Sequence, residues 1–133
     1  MYKSMDVYDD KPHEECGVFG IFDRDLSAVH ETYYGIFALQ HRGQESAGIT
    51  VSDGKTMETF RGMGLVTEVF HNLPEKEGHI GIGHVRYSTT GSSIPVNVQP
   101  LQADSIDGPM ALAHNGNLVN TKNLRRRLLL EGS

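Results

Sequence analysis

The chain holds one cysteine, Cys16, and its position is chemically suggestive. A lone cysteine is most often a small buried hydrophobe. This one opens the apolar run Cys16-Gly17-Val18-Phe19-Gly20-Ile21-Phe22, directly after the acidic, proline-bearing stretch from Asp6 to Glu15. If the Glu15–Cys16 bond is cut, a thiol and a free α-amine belong to the same residue. An α-amine titrates near 8, against about 10.4 for lysine. It can therefore be neutral near pH 7 and accept the thiol proton, directly or through water. That is the pairing of nucleophile and general base, compressed into one residue. With Glu15 still acylating its nitrogen, Cys16 has its thiol but not its base, and the site is a precursor.

A thiolate attacking an amide needs donors for the oxyanion. Asn115-Gly116 offers a side-chain amide and a glycine N–H at the end of an apolar run, and each such donor lowers a barrier by about 3–4 kcal/mol. The same dipeptide is equally an ordinary turn. Arg86 lies inside the apolar stretch Ile80 to Tyr87, where an arginine is costly unless paired. With Ser88, Thr89 and Thr90 behind it, its fork suits a substrate carboxylate. A structural ion pair with one of the 17 acidic residues is the competing reading. His41, His84 and His114 allow a second enzymatic arrangement, a cysteine amidase or peptidase with a Cys16–His pair and no cleavage before Cys16. Their spacing matches no metal-binding pattern, and packing is the plainer account of them. A purely structural or interaction role for the segment is the non-enzymatic alternative.

The elements that must position these groups follow from pattern. Residues 1–15 read as a flexible arm. The run from Cys16 to Phe22 reads as a buried strand. The spacing of Tyr33, Ile36, Phe37 and Gln40 predicts a helix over 26–42, capped by Ser27 and ended at Gly43. Strands are expected over 47–52 and 56–60, joined by an Asp53-Gly54 hairpin turn. A short helix is expected over 64–72, strands over 80–87 and 110–114, and a last helix from Asn120 or Thr121 to about Leu130. Between Ser88 and Pro109 the pattern gives only a long loop, a feature usually functional or mobile. Mixed strands, hairpins and helices give an α+β class rather than a doubly wound sheet.

Bulk properties exclude several functions. A length of 133 residues suits one domain. Net charge is -5, which argues against a nucleic-acid partner. The basic run Arg125-Arg126-Arg127 reads as the solvated face of an amphipathic helix. One cysteine forms no internal disulfide, no apolar run spans a membrane, and no secretory signal is visible, so a soluble cytoplasmic protein is expected.

Five blocks, in order, give the chain a resemblance. They are Cys16-Gly17-Val18-Phe19-Gly20, the run Leu39 to Ile49, Gly83-His84-Val85-Arg86-Tyr87-Ser88-Thr89, Asn97-Val98-Gln99-Pro100-Leu101, and the run Ala113 to Asn120. From Cys16 onward the sequence resembles the class II, N-terminal-nucleophile glutamine amidotransferases. Its His41-Arg42-Gly43-Gln44-Glu45-Ser46-Ala47-Gly48 block is closer to members acting on phosphoribosyl pyrophosphate in purine synthesis than to those aminating sugar phosphates. The resemblance implies a four-layered αββα sandwich, here truncated, and removal of residues 1–15 as a propeptide. It implies Cys16 as nucleophile and base, Asn115 and Gly116 as oxyanion hole, and Arg86 with Thr89 on the glutamine carboxylate. Arg42 and Gly43 would line the wall near the nucleophile. It places the anchor of the glutamine amino group, the phosphoribosyltransferase domain with its Mg²⁺ site, and any 4Fe-4S cluster downstream of residue 133. Glutamine and phosphoribosyl pyrophosphate are the implied substrates, and the full-length protein is expected to be a homo-oligomer. The segment alone is expected to be inactive.

Overall fold

The computed structural model describes residues 16–87, 94–116 and 118–132. The arm over 1–15 and Thr89 lie outside them. Four strands form one antiparallel sheet: β1 (Gly17–Phe22), β2 (Ser46–Ser52), β3 (Met57–Met63) and β4 (Ile80–Arg86), in the order β1-β4-β2-β3. Helices α1 (Ala28–Ala38) and α2 (Val66–Val69) cover one face. A two-stranded ribbon, β5 (Leu101–Ser105) and β6 (Gly108–Leu112), is tied to the other face, where Thr59 donates to the Gln102 side chain at 3.0 Å. Helix α3 (Thr121–Leu130) follows and is exposed along its length. The class is α+β.

The helix-covered face holds the core. Ala47, Ile49 and Val51 alternate inward from β2 and meet Val85, Val66, Phe70 and the α1 residues Ala28, Val29 and Ile36. Burying a residue such as Ile49, which is fully inaccessible, contributes about 1.5–3 kcal/mol. On β4 two of the three inward positions are Gly81 and Gly83, and a side chain there would strike Thr32 and Ile36. Their bareness lets α1 lie close on the sheet. The buried stripe of α1 is thus Ala28, Val29, Thr32 and Ile36, while Phe37, expected on that side, is half exposed.

The predicted helix over 26–42 is two elements. The α-helix stops at Ala38, and Gln40–Arg42 forms a tighter 3₁₀ turn. The Gln40 amide explains the break. Its Nε2 donates to Gly43 O at 2.5 Å, and its Oε1 accepts from Val66 N at 2.6 Å, which staples this turn to the start of α2. Ser27 does not cap α1 with its side chain; its hydroxyl donates to Asp23 instead. That bond, with the Asp25 and Ser27 N–H groups, holds the Asp23 carboxyl below the usual carboxylate range. The Asp53-Gly54 turn forms as expected, with Asp53 accepting from the N–H groups of Lys55 and Thr56 at 2.7 and 2.6 Å.

The stretch read as a long loop contains β5. Its residues, Leu101 to Ser105, are all exposed and half polar, so no periodicity announces a strand. Pairing with β6 supplies the order. The signal available was Asp107-Gly108, where Gly108 has φ +115° and Ser105 Oγ donates to Gly108 O at 2.7 Å.

Candidate active site

The second face of the sheet is polar. Alternation sends Ser46, Gly48 and Thr50 of β2, Thr59 and Arg61 of β3, and His84 and Arg86 of β4 to the side away from the helices. At its β1–β4 edge stands Cys16. The register pairs Gly17 with Val85, so Cys16 falls at the exit of β4. The Tyr87 N–H donates to Cys16 Sγ at 3.4 Å, and the thiol donates to Tyr87 O at 3.5 Å.

Two further segments converge on the same residue. Asn115 Nδ2 donates to Cys16 O at 2.6 Å. Arg42 Nε donates to the same oxygen at 3.4 Å. Cys16, Arg42, Tyr87 and Asn115, far apart in sequence, thus meet around one peptide. Gly43 makes this possible, because a Cβ on it would lie 2.7 Å from backbone atoms of Val85 and Arg86. Gly116 follows Asn115 with φ +135°, a conformation that favours glycine, and the space beside it is open.

Arg86 is buried on the polar face. Its NH1 donates to Asn97 O at 3.2 Å, and its Nε lies 3.8 Å from the Glu45 carboxylate. Both Glu45 oxygens are buried and accept no hydrogen bond among the described residues, so Arg86 is the charge that balances them. The structural ion pair foreseen for Arg86 is therefore present. A guanidinium has five N–H donors, so this pairing leaves it capacity for a carboxylate as well.

Among the described residues no imidazole is hydrogen bonded to Cys16. His41 Nδ1 lies on Ala38 O, and His84 Nε2 lies 3.2 Å from His114 O. A carbonyl only accepts, so His84 carries its proton on Nε2. Burial pushes the His84 pKa down to about 4, with the nearby Arg86 charge acting in the same direction. Also among the described residues, no three His, Cys, Asp or Glu side chains come together in a way that could hold a metal ion. With one cysteine, the chain does not build an iron–sulfur site either. No helix among these residues is long and apolar enough to cross a membrane.

No family model matches the chain. Individual proteins do. It is 54% identical over 125 residues to the amidophosphoribosyltransferase of Synechocystis, a match covering 92% of this chain and 25% of that protein. Against the same enzyme of Methanocaldococcus jannaschii it is 53% identical, covering 88% and 26%. Among solved structures, one described as the allosteric regulatory enzyme of purine biosynthesis superposes with TM-score 0.77 at 50% identity, covering 87% of this chain and 25% of that one. The glutamine phosphoribosylpyrophosphate amidotransferase of Bacillus subtilis, complexed with ADP and GMP, gives TM-score 0.74 at 50% identity, with the same coverage. The chain is related to the amidophosphoribosyltransferases. It spans about a quarter of the length of the curated relatives it matches, at their N-terminal end.

Arg42 and Asn115 each donate to the carbonyl of Cys16, Gly43 and Gly116 are the positions that follow them, and Arg86 lies opposite Cys16 at the end of β4. Three contributors carried no chemical signal of their own in the sequence: Glu45, Gln99 and Arg61. They act through backbone groups or through a buried charge, and only the fold brings those together.

Proposed function

We propose that this segment is the glutaminase part of an amidophosphoribosyltransferase. The reading is carried by the convergence of Asn115 and Arg42 on the carbonyl of Cys16, the only thiol in the chain. Residues 1–15 are a propeptide, and its removal frees the Cys16 α-amine as the base. The amine takes the thiol proton. The sulfur attacks the side-chain carbonyl carbon of glutamine, and the tetrahedral oxyanion is held by the second amide hydrogen of Asn115 and by the Gly116 N–H. Collapse breaks the C–N bond, the ammonium of Cys16 returns its proton to the leaving nitrogen, and ammonia departs. Water then hydrolyses the γ-glutamyl thioester to glutamate. Arg86, with Thr89 beside it, takes the α-carboxylate of glutamine, and Arg42 and Gly43 form the wall behind the nucleophile. In the longer protein the ammonia displaces pyrophosphate from phosphoribosyl pyrophosphate in the cytoplasm, the first step of purine synthesis. Mg²⁺ and any iron–sulfur cluster belong to parts beyond this segment, and the full-length protein is a homo-oligomer.

The test is intact mass after exposure of the processed, intact protein to a glutamine-mimicking diazo-ketone. One adduct on Cys16 is expected. An adduct elsewhere, or none, would sink the assignment. N-terminal sequencing of the same sample should begin at Cys16.

A further inference from the structure

We propose that Gln99 and His84 are positioning residues that aim the oxyanion hole by gripping the backbone of His114 at its N–H and at its carbonyl. The proposal rests on the glutaminase reading above. The His114 N–H donates to Gln99 Oε1 at 2.7 Å, and the His114 carbonyl accepts from His84 Nε2 at 3.2 Å. The next residue is Asn115, whose amide reaches Cys16. β6 ends at Leu112, and residues 114–116 are exposed, so pairing along the ribbon does not fix them. These two hydrogen bonds do.

Each grip is itself anchored in the sheet. His84 is fully buried on β4, and its Nδ1 has no partner among the described residues. An unsatisfied buried nitrogen is costly, so this side chain is held for the one bond it makes. Gln99 sits in a loop that crosses the polar face. Arg61 of β3 fixes the loop by donating through NH1 to Val98 O at 2.5 Å and Pro100 O at 3.1 Å, on either side of Gln99. Gly48 of β2 lies directly beneath, and a side chain there would strike the Gln99 carbonyl. Three adjacent strands, β4, β2 and β3, thus converge on the backbone of one residue, and that residue sets where Asn115 and Gly116 stand.

The experiment is glutamine hydrolysis by the intact, processed protein. Gln99→Leu should lower kcat 10- to 100-fold, the scale of an ångström misplacement, while KM stays within about twofold because substrate-binding groups are untouched. Gln99→Glu keeps an acceptor and should recover most of kcat. His84→Gln keeps an N–H donor and should retain more kcat than His84→Leu. In an Asn115→Ala background Gln99→Leu should cost nothing further, since the group it aims is gone. Alkylation of Cys16 by iodoacetamide at the wild-type rate would show fold and thiol intact. An unchanged kcat in Gln99→Leu, a loss expressed in KM, or a further tenfold loss in the Asn115→Ala background overturns the proposal. A processed wild type that neither hydrolyses glutamine nor takes a diazo-ketone on Cys16 overturns the glutaminase reading and this proposal with it.

Discussion

The two faces of the four-stranded sheet use alternate residues of the same strands for opposite ends. The helix face is dry, apolar and tightly packed, with Ile49, Val51 and Val85 wholly inaccessible. The polar face carries His84, Arg86, Arg61 and Thr50, and the first three of these donate to backbone carbonyls of loops. One face makes stability and the other makes position. A side chain on the first is replaceable by anything of its shape, whereas one on the second is replaceable only by a group that donates from the same point.

That contrast can be broken by experiment. The largest effect should come from Cys16→Ser in the intact protein, with glutamine-dependent activity abolished, free-ammonia-dependent activity kept and melting unchanged. Loss of both activities in a folded variant would contradict a separate glutaminase site. Next, Asn115→Ala should cost about 10²–10³-fold in glutaminase kcat, with little change in melting because the residue is exposed. Ile49→Ala should do the reverse. It should remove about 3 kcal/mol of stability by denaturant unfolding, with kcat near wild type for whatever remains folded. If Ile49→Ala alters kcat while Asn115→Ala alters melting, the two faces are not separable in this way.

His84 sharpens the contrast because it is polar, buried and on the positional face. Its folded pKa, about 4, lies below the ordinary 6.5. The unfolded chain therefore binds the proton first as pH falls. This contribution to stability is full above about pH 6.5 and declines toward pH 4, by on the order of 3 kcal/mol. His84→Gln should flatten that part of the stability profile, measured by urea unfolding at stepped pH. The smallest effect belongs far from the site, where Lys76 pairs with Asp53 at 3.5 Å and Glu58 at 3.3 Å. Lys76→Met should leave both the unfolding midpoint and kcat close to wild type.

The helix face was largely legible in the sequence. Apolar periodicity over 26–42 and the Asp53-Gly54 turn are local signals; the first gave α1, which stops at Ala38 before a 3₁₀ turn, and the second gave its hairpin turn. The polar face was legible only in its reactive members. Cys16, Arg42, Arg86 and Asn115 announce themselves by type and by their ordered motifs. Arg61 does not, and Gln99 and His84, though they lie in those motifs, gave no sign of the roles they take, because their partners are peptide groups that every residue possesses. β5 was hidden for a related reason: its order comes from β6 and from contacts such as Thr59–Gln102, not from any pattern of its own.

The strand order has a temporal consequence. The β2–β3 hairpin closes across a short turn and can form within microseconds. Cys16 meets Tyr87 only when a span of 71 residues has been closed and β1 has taken the outer edge of the sheet. Contacts so distant along the chain form late and slowly. The thiol, its backbone donor at Tyr87 and the Asn115 amide are therefore brought together only by contacts that span 71 and 99 residues of the chain. If residues 1–15 are removed by this site's own chemistry, proteolytic maturation becomes a report that folding is complete.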